Sequence, residues 1–293
     1  MAKILYDSHC HITDEAFDEE RAAFYDELRS SDLRYINTIA EDLETSRKVV
    51  QACRELDFCY GAVGWHPHNV KDLTEEILAE TLALYGEPKI QAVGEIGLDY
   101  HYDLSPRDVQ RHWFARQVQE AVKLRAPIVI HDREANEDVL NILKDNGAFS
   151  KERKADFPLR PDGSPDARVL LHCYSGSAEL AKQYVKLGAT ISIAGPVTYK
   201  NARRAIETVE QTDLLHLLIE TDSPYLAPVP MRGRTNRPPY VEYTARKIAE
   251  IKGISYEEAA AQTLANACRF FDVERRGTLA GNVKRRGIGS TRR

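Results

Sequence analysis

Short apolar runs alternate with longer segments of helical periodicity along this chain, and this alternation limits the possible folds more than any other feature. Eight apolar runs are predicted strands: 4–6, 35–39, 58–63, 90–93, 128–130, 169–171, 190–193 and 215–219. Segments with the spacing of amphipathic helices lie between them at 18–29, 43–56, 74–85, 107–124, 134–144 and 178–187. Repeated strand–helix units form parallel sheets, and eight of them close into a barrel. The pattern therefore predicts an α/β fold with a single (β/α)8 TIM barrel.

The rest of the chain is predicted to add a loop, two helices and a tail to this barrel. We assign residues 1–273 to one domain, because a barrel of about 250 residues with some additions accounts for this length. The polar, proline-rich segment 147–166 is predicted to be an inserted surface loop. Helical periodicity at 241–251 and 256–265 predicts extra C-terminal helices. The basic tail 274–293, rich in Gly, Ser and Thr, is expected to be flexible.

One helix start is predicted from capping chemistry. Ser105 can accept a hydrogen bond as an N-cap, and Pro106 suits the first helical position, where its missing N–H costs little. The helix at 107–124 is therefore expected to be capped by Ser105.

Charge and cysteine content narrow the class of function. A net charge of -5 argues against a protein that coats nucleic acid without specificity, because such binding needs a broad basic surface. Five cysteines without a CxxC pair, and no signal-peptide pattern, favour a reducing compartment. No apolar run approaches the ~18 residues of a membrane-spanning helix. We therefore predict a cytoplasmic protein without a membrane partner, and the sequence indicates no protein partner.

Two histidines follow the first apolar run. His9 and His11 are two residues apart, so on an extended backbone both imidazoles lie on one face while Cys10 lies on the other. Both rings could then reach one metal ion. Such pairs also occur for structural reasons, so this motif alone leaves both interpretations open.

Ionisable residues follow other predicted strands at the same relative place. In TIM barrels the catalytic groups stand at the carboxyl ends of the strands, where the loops converge on one mouth. The residues concerned are His66 and His68 after the third strand, Glu95 after the fourth, His131 after the fifth, His172 after the sixth and Asp222 after the eighth. An isolated histidine is more often structural, but this many ligand-type residues at matching strand ends predict one shared site.

This residue set predicts a hydrolytic metal site. Imidazole and carboxylate ligands together suit Zn, Mn, Fe or Mg, and a carboxylate such as Glu95 can bridge two ions. Two ions about 3.5 to 4 Å apart lower the pKa of a shared water molecule and neutralise charge on the attacking and leaving oxygens. We expect two divalent metal ions (Mg, Mn or Zn) and two catalytic carboxylates, Glu95 and Asp222. Asp222 is expected to bind one ion while accepting the proton of the water molecule.

Six motifs in this order resemble the signatures of the TatD-type deoxyribonucleases of the amidohydrolase superfamily. They are DSHCH at 7–11, GWHPH at 64–68, VGEIGLDY at 93–100, HDR at 131–133, HCYSG at 172–176 and ETDSPYL at 220–226. The resemblance extends over residues 4–272. It implies a metal-dependent hydrolase that cleaves phosphodiester bonds of DNA, as a 3′–5′ exonuclease on single strands, with RNA left open as a substrate.

The resemblance also implies roles for individual residues. By position, one ion would be held by His9, His11, Glu95 and Asp222, and the other by Glu95, His131 and His172. His66 matches the histidine of the family's GxHP motif and is expected to contact phosphate or a further metal ion. The family's RGxxN pattern in the loop at 231–240 implies substrate contacts for Arg232 and Asn236.

Several other residues have both a functional and a structural interpretation. Tyr225 and Trp65 could stack on an unpaired base or pack against the core. Lys200, Arg203 and Arg204 could contact substrate or be ordinary solvated charges.

Two other functions stay open at this point. One is a superfamily enzyme that acts on a small amide, lactone or nucleobase, which the acidic net charge favours. The other is a non-catalytic, metal-stabilised barrel that binds a partner. Charge reversal at Arg232 separates the first from a nuclease, and loss of turnover in Asp222→Asn with the fold retained excludes the second.

Overall fold

The strands of the barrel follow one another in sequence order. A computed structural model of the protein describes residues 3–273. Its strands are β1 Leu5–Cys10, β2 Leu33–Ile39, β3 Cys59–Val63, β4 Ile90–Asp99, β5 Ile128–Arg133, β6 Val169–Leu171, β7 Thr190–Ile193 and β8 Leu217–Ile219. Each pairs in parallel with the next along the chain. The predicted (β/α)8 TIM barrel is confirmed.

Helices alternate with the strands and surround the barrel. Among the described residues the α-helices are α1 Arg21–Ser30, α2 Leu43–Glu55, α3 Glu75–Ala83, α4 Arg107–Lys123, α5 Asn136–Asp145, α6 Lys151–Ala155, α7 Ala178–Leu187, α8 Arg203–Gln211, α9 Val241–Lys252 and α10 Tyr256–Phe271. The segment predicted as a helix at 18–29 begins with a 3-10 turn, Glu15–Glu20, before α1. Helices α9 and α10 confirm the predicted C-terminal additions, and α10 extends beyond 265 because its buried stripe continues to Phe271.

Hydrogen bonds between the first and last strands close the barrel. The hydroxyl of Ser8 donates to the carbonyl oxygen of Ile219 at 2.9 Å. The backbone N–H of Asp222 donates to the carbonyl oxygen of His9, also at 2.9 Å. A closed parallel barrel brings the carboxyl ends of its strands to one rim. Residues near those ends therefore share one mouth, as the site prediction requires.

The last helix closes the opposite end of the barrel. Phe270 and Phe271 of α10 are fully buried beside Tyr6 of β1, and the ring centroids of Tyr6 and Phe271 are 5.8 Å apart. Asn266 of the same helix donates to the carbonyl oxygen of Leu217 at 2.9 Å. Aromatic side chains thus fill the amino-terminal end, and the site lies at the other one.

Strand β4 is longer than predicted. It runs from Ile90 to Asp99 instead of ending at Val93, and it stays paired with β5 as far as Arg133. Glu95 therefore lies within the strand and not after it. The adjacent glycines looked like a strand end, but in the barrel they allow the next strand to approach closely.

We expect Gly97→Ala to destabilise the barrel. A β-carbon added to Gly97 would lie 1.9 Å from the carbonyl oxygen of His131 on the paired strand. Relief requires β4 and β5 to separate, and overpacking of this kind on a strained backbone costs about 3 kcal/mol. Gly86→Ala is the matched control, because nothing lies within 4 Å of a β-carbon there. Urea unfolding followed by circular dichroism should show a lower midpoint for Gly97→Ala alone, and equal midpoints would contradict the close approach.

The prediction that Ser105 caps α4 is wrong. The helix begins at Arg107 with Pro106 at the N-cap position, and no side chain caps it. The hydroxyl of Ser105 donates instead to the carbonyl oxygen of His68 at 2.9 Å. The capping rule considers local partners, whereas here a partner from the loop after β3 competes for the hydroxyl.

The inserted segment 147–166 is only in part the surface loop that was predicted. It contains helix α6, and its Arg153 and Arg160 are each 2% exposed. Arg153 donates to the carbonyl oxygen of Ala126 at 2.8 Å, and Arg160 donates to that of Gly188 at 2.7 Å. These carbonyls lie just before β5 and β7, so the two arginines satisfy backbone acceptors at the amino-terminal end of the barrel. The insertion supports the end opposite to the site.

Across residues 3–273, no helix combines the length and the apolar composition that crossing a membrane would require. All five cysteines, Cys10, Cys53, Cys59, Cys173 and Cys268, are free thiols. The tail predicted to be flexible, 274–293, lies outside the described residues.

Candidate metal centre

The six predicted metal ligands meet inside the mouth of the barrel. They come from β1, β4 and β5 and from the segments that follow β1, β6 and β8. The six are His9, His11, Glu95, His131, His172 and Asp222, and every one is buried or nearly so. The structure thus brings together all the residues that the sequence singled out as ligands.

Glu95 lies at the centre of this cluster. Its Oε1 lies 2.5 Å from Nε2 of His172 and 2.7 Å from Nδ1 of His131. Its Oε2 lies 3.4 Å from Nε2 of His9 and 3.8 Å from Nε2 of His11. The two oxygens face different pairs of imidazoles, which is what a carboxylate between two cations requires.

Asp222 completes the group around the first strand. Its Oδ1 lies 3.6 Å from Nε2 of His9 and 3.5 Å from Nε2 of His11. Asp222 adopts a left-handed backbone conformation with φ +57°, which Asp tolerates better than most residues. The ligand atoms of His9, His11 and Glu95 lie within 4.8 Å of one another, as do those of His9, His172 and Asp222. One cation could contact all three residues of either group.

His66 joins the cluster from the segment after β3. Its Nε2 lies 3.8 Å from Oε1 of Glu95, and with Glu95 and His131 it forms a third group of ligand atoms within 4.8 Å. The side chain is buried, and the backbone N–H of His66 donates to the carbonyl oxygen of Glu41 at 2.9 Å. This position favours the metal over the phosphate among the two partners expected for His66.

Asp99 belongs to the site although the sequence analysis missed it. Its Oδ2 lies 2.8 Å from Nε2 of His68 and 3.2 Å from Nε2 of His131. Burial alone would raise the pKa of Asp99, but hydrogen bonds with His131, the Tyr102 amide and His68 outweigh burial and lower the pKa. An ionised Asp99 orients the ring of His131 so that Nδ1 faces Glu95. Its place in the VGEIGLDY motif together with Glu95 was the available signal.

Two more carboxylates, also missed, lie beside the ligands. Oε1 of Glu220 lies 3.4 Å from Nδ1 of His172, so it orients that ring as Asp99 orients His131. Glu41 lines the cavity beside His11; burial raises the pKa of Glu41, and the charge of His11 opposes this rise. Glu220 directly follows β8, and Glu41 follows β2. Their places near strand ends could have identified them.

Burial and neighbouring charges shift the pKa values of the ligand side chains in different directions. Burial and the nearby His172 lower the pKa of His9. Burial acts to lower the pKa of His11 as well, but Asp222 outweighs it and raises the pKa to about 9. Burial opposes ionisation of Glu95, yet the surrounding histidines hold its pKa well below the ordinary value. The same competition, with His11 as the main partner, lowers the pKa of Asp222 to about 2.

The chemistry of this donor set fits divalent cations. Imidazole nitrogens and carboxylate oxygens are the ligands that Zn and Mn take in proteins. Cys10 contributes nothing, since its thiol is buried 3.4 Å from the carbonyl oxygen of Asn37, as its place between His9 and His11 predicted. Carboxylates held ionised within a low-dielectric mouth add the negative charge that a cation would balance.

The cluster forms the floor of an open cavity of about 510 Å³. Its walls include Tyr102, Arg133, Tyr225 and Leu226. Tyr225 is 49% exposed, and its hydroxyl donates to Oδ2 of Asp14 at 3.0 Å, so its ring is accessible to a substrate. Trp65 instead packs against the core, and its indole N–H donates to Thr81 at 2.8 Å. Of the two aromatic candidates, Tyr225 keeps the stacking interpretation and Trp65 is structural.

The predicted substrate contact of Asn236 is wrong. The residue is 0% exposed, and its side-chain amide donates to the carbonyl oxygens of Thr221 at 2.8 Å and Tyr225 at 2.6 Å. Its own carbonyl oxygen accepts from the backbone N–H of Arg237 at 3.0 Å. Asn236 therefore fixes the path of the loop beside Asp222 and has no free group for a ligand.

Arg232, in contrast, is exposed at the mouth. Its guanidinium stacks 4.3 Å from the ring centroid of Tyr199, and within residues 3–273 it pairs with no carboxylate. Arg237 from the same loop is bound to Glu20 and Glu27 and is thereby excluded from substrate contact. The prediction for Arg232 stays a prediction that the geometry allows.

Unpaired arginines are concentrated at this rim. Six of the twelve exposed arginines among residues 3–273 lie against a carboxylate, as Arg54 does with Glu87. Among residues 3–273 the exposed arginines without an acidic partner at the rim are Arg133, Arg203, Arg204, Arg232 and Arg234. Arg133 ends β5 and lines the cavity above the cluster, and the other four lie on the segments that follow β7 and β8.

Comparisons with known proteins match this chain to one family and to metal-dependent hydrolases. The sequence profile of the family described as "TatD related DNase" matches residues 6–272. The "Uncharacterized metal-dependent hydrolase YabD" of Bacillus subtilis is 38% identical over 270 residues, which are 92% of this chain and 100% of that protein. The "Uncharacterized metal-dependent hydrolase TatD" of Mycobacterium tuberculosis is 36% identical over 241 residues, which are 80% of this chain and 85% of the other.

Solved structures agree with the fold. The TatD homologue YJJV from Escherichia coli K12 superposes with a TM-score of 0.81 at 24% identity, covering 93% of this chain and 99% of that one. A hydrolase of the TatD family from Entamoeba histolytica gives a TM-score of 0.79 at 20% identity, with 92% and 99% covered. These likenesses support the barrel architecture independently of the site.

Proposed function

The chain belongs to the TatD-related DNase family of metal-dependent hydrolases, and we propose that it cleaves the phosphodiester bonds of DNA as a 3′–5′ exonuclease on single strands. The observation that carries this proposal is the set of unpaired arginines at the carboxyl ends of β5, β7 and β8, on the same side of the barrel as a buried cluster of histidines and carboxylates. Guanidinium groups bind phosphate in a forked geometry, and a neutral substrate gives them no partner.

We propose that the cluster holds two divalent cations. One group comprises His9, His11, Glu95 and Asp222, and the other comprises Glu95, His131 and His172, with His66 beside the second. When bound, such ions supply the positive charge that acidifies water and neutralises charge developing on phosphate. Asp99 and Glu220 keep the imidazoles of His131 and His172 in the orientation that presents their nitrogens to Glu95.

We assign the proton transfer to Asp222. Its carboxylate lies beside the nitrogens of His9 and His11 and keeps 13% of its side chain exposed to the cavity. A water molecule that attacks the phosphate must lose a proton, and a carboxylate at the cavity floor can accept it. Tyr225 and Leu226 line the same cavity as Asp222.

We propose a cytoplasmic location. The free state of the five cysteines supports it, because disulfides persist in oxidising compartments. Fractionation of cells that produce a tagged chain would check the location directly.

We expect Arg232→Glu to impair cleavage of DNA by about tenfold at low salt, because it places a negative charge where the polymer's phosphates approach. Arg34→Glu is the matched control. Arg34 is also exposed, lacks an acidic partner among residues 3–273 and stacks on a tyrosine, Tyr35, at 5.0 Å, but it lies at the opposite end of the barrel. Rates on end-labelled single strands at two salt concentrations measure the effect. An equal effect of both variants would argue for a small neutral substrate.

The direct test strips the protein with a chelator and adds back single divalent ions. End-labelled single-stranded DNA, duplex DNA, RNA and methyl p-nitrophenyl phosphate are then compared as substrates. We expect metal-restored cleavage of single-stranded DNA, with product lengths that shorten one nucleotide at a time from the 3′ end. Internal cuts would reject the exonuclease mode, and cleavage of RNA in preference to DNA would change the substrate. Absence of polymer cleavage with every ion would overturn the nuclease proposal and favour an amide, lactone or nucleobase substrate.

A further inference from the structure

A second cavity, of about 480 Å³, lies beside the metal centre. It is formed by the segment after β6 and by the segment that joins β7 to α8. Cys173 lines this cavity, and its neighbour in sequence, His172, lines the cavity above the metal centre. Consecutive residues of the segment after β6 thus line the two cavities. A volume of this size lies in the range of ~300–1,000 Å³ that small-molecule sites occupy.

The walls of this second cavity are apolar and aromatic. They include Ile193, Val197, Ala205 and the side chains of Tyr174 and Tyr199. Cys173 adds a free thiol to this wall. An apolar slot with tyrosines suits a flat aromatic group that stacks and needs few hydrogen bonds.

The rim of the cavity carries positive charge. Arg203 and Arg204 line it from the first turn of α8, and no acidic residue occurs in that turn. Arg232 covers Tyr199, whose hydroxyl is anchored by donation to the carbonyl oxygen of Ala227 at 3.0 Å. Among residues 3–273 none of these three arginines has a carboxylate partner. The charge therefore complements a ligand with an aromatic body and an anionic edge.

We propose that this cavity binds the base of a nucleotide that directly flanks the scissile phosphate of a single DNA strand, while Arg203, Arg204 and Arg232 contact the neighbouring phosphates. The inference rests on the proposed DNase function and adds a base-binding subsite to it. It also gives a physical reason for the preference for single strands: a base held in a duplex cannot leave its stack to enter the cavity without loss of pairing.

The test combines a filled cavity with a substrate that lacks the base. Ala205→Phe places a ring in the cavity, and Glu210→Phe adds the same ring at an exposed position of α8 that does not line it. Three substrates are compared. The first is a 3′-labelled single strand, and the other two are the same strand with one abasic nucleotide, placed on the 5′ side or on the 3′ side of the first scissile bond. Methyl p-nitrophenyl phosphate reports whether the metal centre is intact.

We expect the wild type to lose about tenfold in kcat/KM on one of the two abasic strands, the factor that stacking of one base gives. The kcat/KM of Ala205→Phe should fall by a similar factor on the normal strand. It should not fall further on the abasic strand that the wild type cleaves slowly. Glu210→Phe should behave as the wild type, and all three proteins should hydrolyse the small phosphodiester equally.

The outcomes separate the inference from the function beneath it. Equal rates of the wild type on normal and abasic strands overturn the subsite, and this comparison needs no variant that might misfold. Full discrimination between the two strands by a folded Ala205→Phe overturns it as well. Cleavage of DNA would persist in both cases, so the proposed function stands. If no DNA is cleaved with any ion, both the function and the subsite fall.

Discussion

Replacement of Glu95 by glutamine should reduce metal-dependent turnover by at least about a thousandfold, because several kcal/mol of charge stabilisation depend on the cations that this carboxylate would join. Glu95 is the residue whose two oxygens approach both pairs of imidazoles, His131 with His172 and His9 with His11. Glutamine keeps the size of the side chain but removes its charge and offers one acceptor oxygen in place of two. The amide therefore cannot serve both groups.

Metal content checks the cause of this loss. After chelation and reloading, the wild type should retain two ions per chain and Glu95→Gln at most one, by elemental analysis. Glu179→Gln is the control for the substitution itself, since Glu179 lies exposed in the first turn of α7. Wild-type metal content in an inactive Glu95→Gln would mean that the carboxylate does not join the two groups.

Asp222→Asn should lower turnover by about a hundredfold to ten-thousandfold, the range that a positioned proton acceptor contributes. Asparagine tolerates the left-handed backbone that Asp222 adopts with φ +57°, so the fold should be retained. The amide can still accept a hydrogen bond from His11, 3.5 Å away, but it cannot take a proton from water. Single-turnover rates and thermal unfolding should therefore show an inactive protein of unchanged stability.

The chain offers a close control for this variant. Asp272 has the same left-handed conformation, with φ +55°, at the end of α10 on the far side of the barrel. Asp272→Asn makes the same chemical change without touching the mouth, and its turnover should equal that of the wild type. Retained turnover in Asp222→Asn would assign the proton transfer to another group.

The sequence was sufficient to predict the barrel and the ligand cluster. Each strand contains an apolar run, and the ligand-type residues lie at or near the carboxyl ends of those runs, so parallel order alone brings them together. The bounds of β4 were not predictable in this way. Gly94 and Gly97 have the composition of a strand end, and only pairing with β5 shows that the strand continues through Glu95 to Asp99.

Residues that depend on tertiary partners were the ones misjudged. Asn236 belongs to a polar loop, and its burial follows from the carbonyls of Thr221 and Tyr225, which sequence spacing does not reveal. Arg153 and Arg160 likewise belong to a segment that was predicted to lie on the surface. Their side chains instead donate hydrogen bonds to backbone carbonyls that are distant in sequence, just before β5 and β7. Local patterns carry information about periodicity and capping, whereas the satisfaction of a buried polar group depends on the whole fold.

The position of α10 has a consequence for synthesis of the chain. Phe270 and Phe271 pack against Tyr6 of β1, so two elements that are far apart in the sequence are neighbours in the core. Until residue 271 has emerged, the nascent chain displays Tyr6 and the adjoining apolar strands to solvent and to chaperones. Contacts this distant in sequence slow folding. A chain truncated before α10 should therefore be insoluble.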